Sequence, residues 1–97
     1  MKTLPKTFLQ IVDETIEKHI DSQHLLRIVE RQTKLSASQV YRKIKQQTGY
    51  SPSIYVRQKR LAQAHIWIVE SDLSISKIAL LVGFRQLAYF SRCFMGF

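Results

Sequence analysis

The apolar residues of this chain recur at intervals of three and four positions, which is the period of a helix with one buried face. Phe8, Ile11, Val12, Ile16 and Ile20 show this spacing near the start, and charged residues occupy the other side. No stretch alternates between apolar and polar residues as a half-buried strand would. The pattern therefore predicts an all-α chain. The predicted helices cover residues 7–20, about 22–33, 37–48, 52–70, 75–82 and 87–95.

Capping residues mark several of the predicted helix ends. Ser36 and Ser74 precede apolar helical stretches and can accept hydrogen bonds from the first free N–H groups. In the pair Ser51-Pro52 the serine caps the helix and the proline takes the first helical position, where its missing N–H costs little. Gly49 suits the left-handed conformation that ends many helices. These signals predict that residues 52–70 form the longest helix.

Two stretches about fifty residues apart share one pattern of a short helix, a tight turn and a second helix. In residues 40–44, and again in residues 90–94, an apolar pair four positions apart encloses an arginine. In the second copy, Ala79 supplies the small residue needed where two helices cross, and Gly83 tolerates the positive φ of the turn. This arrangement is typical of a helix-turn-helix unit, and its repetition favours DNA binding.

The charge of the chain supports that interpretation. The formal net charge is +8 over 97 residues. Residues 1–35 contain six Lys or Arg against five Asp or Glu, whereas residues 36–97 contain nine against two. An excess of this kind attracts a polyanion, with nucleic acid as the first candidate and an anionic membrane surface as the second.

Rotation by 100° per residue divides the second helix of each copy into two faces. The residues expected to face the core are Ala37, Val40, Ile44, Leu87, Phe90 and Phe94. Those expected to face outward are Ser38, Tyr41, Arg42, Lys45, Ala88, Ser91, Arg92 and Met95. Arginine can bind guanine with two hydrogen bonds, and serine can bond to several bases. The groups expected to contact phosphates are Lys43, Lys45, Arg57, Lys59 and Arg60, with the helix N-termini at Ser36 and Ser74.

These assignments have structural alternatives. A basic helix face can be a solvated surface and nothing more, and Tyr41 can pack at the edge of a core. Arg60 can pair with a carboxylate, such as Glu70 or an acid of the first helix. The repetition of the pattern, which isolated basic faces would not produce, favours the DNA interpretation.

Four motifs together resemble the AraC/XylS-type DNA-binding domain over residues 22–95. They are Ser51-Pro52-x-x-Tyr55, Arg60-Leu61-x-x-Ala64, Ile78-Ala79-x-x-Val82-Gly83-Phe84 and Tyr89-Phe90-Ser91-Arg92-x-Phe94. The resemblance implies two helix-turn-helix subdomains, each a homeodomain-like three-helix lobe, joined by a long central helix and reading adjacent major grooves. It assigns the base contacts to Ser38, Tyr41, Arg42, Leu87, Ala88, Ser91 and Arg92.

The resemblance also implies a domain organisation and partners. The chain is expected to be a single DNA-binding domain over residues 1–97. Its parts are an N-terminal amphipathic helix (1–20), a first helix-turn-helix (21–50), a linker helix (51–70) and a second helix-turn-helix (71–97) that is incomplete at its C-terminus. The implied partners are double-stranded DNA, RNA polymerase and a fused sensor or effector domain, because the chain looks like the output module of a two-component sensor or response regulator.

The chain departs from the family pattern at several positions. Glu30 stands where the family places a small residue, and Lys34 where it places glycine, so the first unit is expected to cross its helices more loosely. Leu87 and Ala88 are apolar where the family is usually polar, which leaves thymine methyl contact as their expected role. The early end of the chain predicts a marginally stable second lobe with Phe94 and Phe97 partly exposed.

An enzyme is disfavoured. Residues 36–97 contain only Glu70 and Asp72 as carboxylates, and no Gly-rich phosphate loop is present. The three histidines lack the spacing of metal ligands, and Cys93 lies beside predicted core phenylalanines. No catalytic, cofactor-binding or metal-binding residue is therefore predicted.

A helical protein-interaction or dimerisation module is the alternative function. Residues 66–69 (Ile-Trp-Ile-Val) would give it an apolar surface, or they simply form the hinge between the lobes. The single Cys93 excludes an internal disulfide and fits a reducing compartment. The chain shows no secretory signal and no apolar run long enough to span a bilayer, so a soluble, cytoplasmic protein is expected.

Overall fold

A computed structural model describes residues 4–96, which form six α-helices and, within that range, no strand. The helices are α1 (Phe8–Lys18), α2 (Leu25–Thr33), α3 (Ala37–Thr48), α4 (Pro52–Glu70), α5 (Ile75–Leu81) and α6 (Leu87–Met95). The prediction of an all-α chain is confirmed, and α3, α4 and α6 have the predicted limits. The helices predicted at 7–20 and 22–33 are shorter than expected, and α5 ends one residue early.

The loop between α1 and α2 explains the two largest differences in helix length. The backbone N–H of His19 still bonds to the carbonyl of Thr15, and the chain then leaves the helix. The carbonyl groups of Ile20 and Ser22 turn away from α1 and accept hydrogen bonds from Arg60 instead. A tertiary contact therefore holds residues 19–24 out of the helices, and apolar periodicity alone did not reveal it.

The buried residues form two separate cores, one in each lobe. The first core contains Val12, Ile16, Leu25, Val29, Val40, Ile44 and Val56. The second contains Leu61, Ala64, Ile78, Ala79, Val82, Phe84 and Phe90. The first lobe is α1–α3 with the N-terminal part of α4, and the second is the C-terminal part of α4 with α5 and α6. Helix α4 is therefore shared, since its apolar residues enter both cores.

The two helix-turn-helix turns close with the same hydrogen bond. The N–H of Leu35 bonds to the carbonyl of Glu30, and the N–H of Phe84 bonds to that of Ala79, each across five residues. The left-handed residue is Lys34 (φ 59°) in the first turn and Gly83 (φ 97°) in the second. The internal repeat inferred from the sequence is therefore also a repeat of backbone geometry. Within residues 4–96 the half-buried Glu30 forms no ion pair.

Two residues predicted to face the core are exposed. Ala37 is the first residue of α3 and Leu87 the first residue of α6, where 45% of its surface is exposed. The helices of such a unit cross at a wide angle, so the first turn of the second helix extends past the core. The inward assignment of both residues was wrong for that one reason. Phe94 is partly buried, as expected, and Phe97 lies outside the described residues.

Replacing Lys34 by glycine is expected to stabilise the first lobe by about 1 kcal/mol, because a side chain in the left-handed region is strained by about that amount. Urea denaturation of both proteins measures the difference. Lys34→Ala is the matched control, since it removes the lysine side chain but retains Cβ and so retains the strain. Equal stability of the glycine and alanine variants would show that the turn is not strained.

Candidate nucleic-acid interface

Helix α3 presents a polar surface because its apolar side is anchored in the first core. Val40 and Ile44 are buried, and the residues opposite them on the helix point away from the protein. Ser38, Tyr41 and Arg42 are all exposed, Tyr41 by 52%. The helix begins in a full capping box, in which Ser36 and Gln39 satisfy each other's backbone N–H groups. The three side chains therefore project from a well-defined helix start.

Helix α6 presents the corresponding surface of the second lobe. Phe90 is buried and its ring contacts those of Phe84 and Phe94, at centroid distances of 5.1 and 5.5 Å. The exposed residues on this helix are Leu87, Ala88, Tyr89, Ser91, Arg92 and Met95. Unlike α3, α6 has no side-chain cap, since its N-cap residue is Gln86. All seven residues predicted to contact bases are thus accessible, four on α6 and three on α3.

Both helices border the same side of α4. Tyr41 of α3 lines a hollow together with Pro52 and Ser53. One turn later on α4, and therefore on the same face, Nη1 of Arg57 donates a hydrogen bond of 3.3 Å to the hydroxyl of Tyr89 on α6. This hydrogen bond raises the pKa of Arg57 above its ordinary value. Position 53 thus adjoins the first exposed helix and position 57 the second.

A basic hollow of about 450 Å³ lies between the two lobes. Its lining includes the three guanidinium groups of Arg57, Arg60 and Arg85 and no acidic side chain. The ion pairs within residues 4–96 are Lys6–Glu14 and Lys59–Asp13, so none of these three arginines is neutralised by a carboxylate in contact. Positive charge in a concave surface, with no carboxylate in contact, is suited to an anion.

The longest dimension of the molecule exceeds one helical turn of DNA. The described part of the chain measures 41 × 34 × 21 Å. Two helices that enter successive major grooves on one side of a duplex must lie about 34 Å apart, one helical turn. The long dimension of this flat molecule accommodates that separation.

Residues 29–97 match the family model described as a helix-turn-helix domain. The chain belongs to the AraC-type helix-turn-helix family. Members of this family are DNA-binding domains of transcription regulators rather than enzymes.

Curated AraC-type relatives share about a third of this domain's residues. The chain is 34% identical over 89 residues to the transcriptional activator RhaS of Mannheimia succiniciproducens, an alignment covering 92% of this chain and 32% of that protein. It is 31% identical over 93 residues to the probable transcriptional regulator LumQ of Photobacterium leiognathi, covering 96% of this chain and 38% of that protein. The chain therefore spans about a third of the length of these relatives.

Solved structures of AraC-type domains have the same architecture. The C-terminal domain of the two-component response regulator yesN from Fusobacterium nucleatum matches with a TM-score of 0.75 and 28% identity, over 89% of each chain. A DNA-binding transcriptional dual regulator from Escherichia coli K-12 matches with a TM-score of 0.81 over 95% of this chain and 88% of that chain. At 22% identity the second match shows the fold alone.

Two lysines predicted to contact phosphates lie on the α1 side of this AraC-type domain. Lys43 Nζ lies 5.3 Å from the centre of the Phe8 ring, on the opposite side of α3 from Tyr41. Lys59 Nζ lies 3.7 Å from a carboxylate oxygen of Asp13. Both ammonium groups thus already have partners on the α1 side of the first lobe. This position is away from the side of α4 that the two exposed helices border.

Arg60 has backbone partners that the sequence did not suggest. Its side chain is half-buried, and it donates to the carbonyls of Ile20 (2.9 Å) and Ser22 (2.7 Å). These two N–H groups therefore bond to backbone oxygens. They bond neither to the carboxylates considered from the sequence nor to a phosphate. Ser36 and Ser74 are exposed N-caps that accept from their own helices, and exposed Lys45 donates to the carbonyl of Gly49.

The structure adds two residues to the candidate interface of the AraC-type domain. Arg85 is exposed in the turn before α6 and lines the basic hollow. Tyr89 contacts two arginines, because Arg57 donates to its hydroxyl and Arg92 lies 5.9 Å from its ring centre. A sequence signal for Arg85 did exist, since the second turn is one residue longer than the first and the added residue is basic.

Within residues 4–96, no group of three His, Cys, Asp or Glu side chains is placed to hold a metal ion. In the same range, no helix combines the length and the apolar character needed to cross a membrane.

Proposed function

We propose that this chain is the DNA-reading part of a longer transcription regulator and that α3 and α6 enter successive major grooves on one side of a duplex. The observation that carries this proposal is the duplicated helix-turn-helix. Two equivalent helices, each anchored by an apolar pair, present exposed polar residues beside the same face of α4. A protein that bound DNA through a single basic helix would not need a second, equivalent helix beside the same face of α4.

The proposed base contacts follow from the chemistry of the exposed side chains. Arg42 and Arg92 occupy equivalent positions in the two helices and are suited to bidentate hydrogen bonds with guanine. Ser38, Tyr41 and Ser91 offer hydroxyl groups to base edges. Leu87 and Ala88 are suited to thymine methyl groups. The resulting site would be read more specifically by α3 than by α6.

The proposed phosphate contacts centre on the basic hollow. When two helices occupy successive major grooves, the minor groove lies between them, opposite the middle of the protein. The two sugar-phosphate backbones that border this minor groove lie there as well. Arg57 and Arg85 line the hollow at this place. They would neutralise phosphates there and hold the register of the protein without reading sequence. Lys45 and the helix starts at Ser36 and Ser74 would contact phosphates farther out.

The larger protein is proposed from the lengths and names of the relatives. Since the matched relatives are about three times longer, a sensor or effector domain linked to this one is expected. The likeness to the C-terminal domain of a response regulator favours a two-component system. Contact with RNA polymerase and a cytoplasmic location would follow from action at a promoter.

A second candidate function, protein contact, is favoured by apolar residues exposed on the second lobe. They are Ile66 and Val69 of α4, Leu73 in the loop after it, and Ile75 and Leu80 of α5. A salt series distinguishes the two functions. DNA binding weakens steeply with salt, in proportion to the phosphates neutralised, whereas an apolar protein contact changes little.

Selection from a random DNA pool followed by quantitative binding tests the main proposal. Arg42→Ala is expected to lose about 1–3 kcal/mol on the selected site and to relax preference at one base pair. Arg85→Ala is the matched control, because it removes an equal charge that is proposed to contact only phosphate. It should weaken binding to all sequences alike and reduce the slope of log K against log salt by about one.

Two outcomes would contradict this assignment. Failure of the pool to yield any common sequence would refute sequence-specific binding by this domain. Equal losses on selected and random DNA for Arg42→Ala would refute its role in base reading, even if the selection succeeds.

A further inference from the structure

The middle of α4 is tied to the loop between α1 and α2 by one arginine. Arg60 Nε donates to the carbonyl of Ile20 at 2.9 Å, and Nη2 donates to the carbonyl of Ser22 at 2.7 Å. The side chain is half-buried, and no carboxylate pairs with it within residues 4–96. Burial lowers its pKa from the ordinary value and nearby Asp21 partly opposes this, yet an arginine remains charged. Its hydrogen bonds are therefore charge-assisted and strong.

The turn of the second helix-turn-helix packs directly against this arginine. A Cβ atom at Gly83 would lie 2.7 Å from the carbonyl oxygen of Ile20 and 2.9 Å from Cζ of Arg60. Gln23 of the same loop donates to the carbonyl of Gly83 at 3.3 Å. The loop of the first lobe, the centre of α4 and the turn of the second lobe thus meet at one point. This junction, defined by Ile20, Ser22, Gln23, Arg60 and Gly83, is called the brace.

The brace connects the two lobes a second time. The first connection is α4 itself, whose residues enter both cores. A single helix joining two lobes leaves them free to swing as the helix bends. A second attachment, away from the helix axis, removes that freedom. The lobes can then move only if α4 bends and the brace breaks at the same time.

We infer that Arg60 is a positioning residue that fixes the separation and angle of α3 and α6, and that the brace thereby determines which spacing of DNA half-sites the domain accepts. This inference rests on the proposed function. A shift of one base pair moves one half-site by about 3.4 Å and rotates it by about 35°. A rigid pair of reading helices cannot follow that change, whereas a pair joined by α4 alone can follow part of it.

Arginine is required at position 60 for a geometric reason. Its planar guanidinium offers two N–H groups in a fixed fork, which here bond to two carbonyls of one loop. Lysine retains the charge but lacks this fork. Arg60→Lys therefore removes the two-point attachment of α4 to the loop, which is one part of the brace, while leaving the net charge unchanged.

The first experiment measures affinity for the selected site and for versions with one base pair inserted or removed between the half-sites. The unaltered chain is expected to prefer the original spacing. Arg60→Lys should weaken binding to that site by about tenfold, as loss of a charge-assisted hydrogen bond implies. It should also bind all three spacings with similar affinity.

Two further variants distinguish the effect of the brace on spacing preference from effects of altered charge or impaired folding. Arg57→Lys lies one turn away on α4 and should weaken all spacings by the same factor. Gln23→Ala removes only the hydrogen bond to Gly83 from an exposed residue, so it should fold normally and partly relax the spacing preference. Unchanged spacing preference in both Arg60→Lys and Gln23→Ala would overturn the inference, while loss of all selective binding by the unaltered chain would refute the proposed function instead.

A second readout needs no DNA. Spin labels on cysteines at exposed positions 46 and 95, in a chain carrying Cys93→Ser, report the distance between the two lobes. One narrow distance distribution is expected with Arg60 present and a broad one with Arg60→Lys. Distributions of equal width would overturn the inference whatever the DNA results.

Discussion

Replacing Phe90 by alanine is expected to unfold the second lobe, at a cost of about 3–5 kcal/mol. Phe90 is 1% exposed and is the largest fully buried side chain of the described residues. Its ring packs against Phe84 edge to face and stacks with Phe94, so its removal takes one ring contact from each of them and opens a cavity in a core of seven buried residues. A loss of this size approaches the whole stability of many small domains.

Amide hydrogen exchange is the measurement that checks this expectation. Protection should be lost across 75–95 in Phe90→Ala, while residues 25–48, whose core is separate, retain most of theirs. Met95→Ala is the control on the same helix, because Met95 is 87% exposed and its loss should change stability by less than about 0.5 kcal/mol. Uniform loss of protection over both lobes would show that the two cores unfold as one unit.

Gly83→Ala is expected to destabilise the protein by about 2–4 kcal/mol through two additive causes. A side chain at φ 97° is strained by about 1 kcal/mol. The new Cβ would also press on the backbone oxygen of Ile20 and the guanidinium of Arg60, and relieving such overpacking costs about 1–3 kcal/mol. The second cause acts directly on the brace, so the variant should also relax the spacing preference of the folded protein.

Gly49→Ala separates the two causes. Gly49 has a similar φ of 81°, but a Cβ atom there would meet nothing within 4 Å. Its replacement should cost about 1 kcal/mol, the strain alone. Urea denaturation of both variants gives the difference, which measures the packing against the brace. Equal losses of unfolding free energy at the two positions would mean that the atoms in close contact with Gly83 move aside without destabilising the protein.

The helices were the most predictable part of the fold. The bounds of α3 follow from its caps, Ser36 and Gly49, which stand next to it in the chain. The start of α4 follows from Pro52 at its first position, although the Ser51 side chain, expected to cap this helix, forms no cap hydrogen bond. The start of α2 was not predictable in the same way. Its N-cap, His24, forms no side-chain cap, and the preceding loop is held by Arg60 from the middle of α4.

The exposure of the candidate residues was predicted well where helix geometry alone decides it. Arg42 must point outward because Val40 and Ile44 on either side of it point inward. Periodicity failed for Leu87 and Ala37, because it describes direction around a helix and does not say how far the neighbouring helix extends. For Lys43, the direction along the flank of α3 was foreseeable, but the aromatic ring of Phe8 beside it was not.

The amino-acid sequence by itself determined the six helices, their duplication and the family, because caps, periodicity and turn residues act over a few neighbouring positions. Only the tertiary structure decided what Arg60 does, since its two partners stand 40 and 38 positions earlier in the chain. It also decided that Arg57, Arg60 and Arg85 share one hollow. Such partnerships depend on how the two cores are packed against each other, and no local pattern of residues encodes that arrangement.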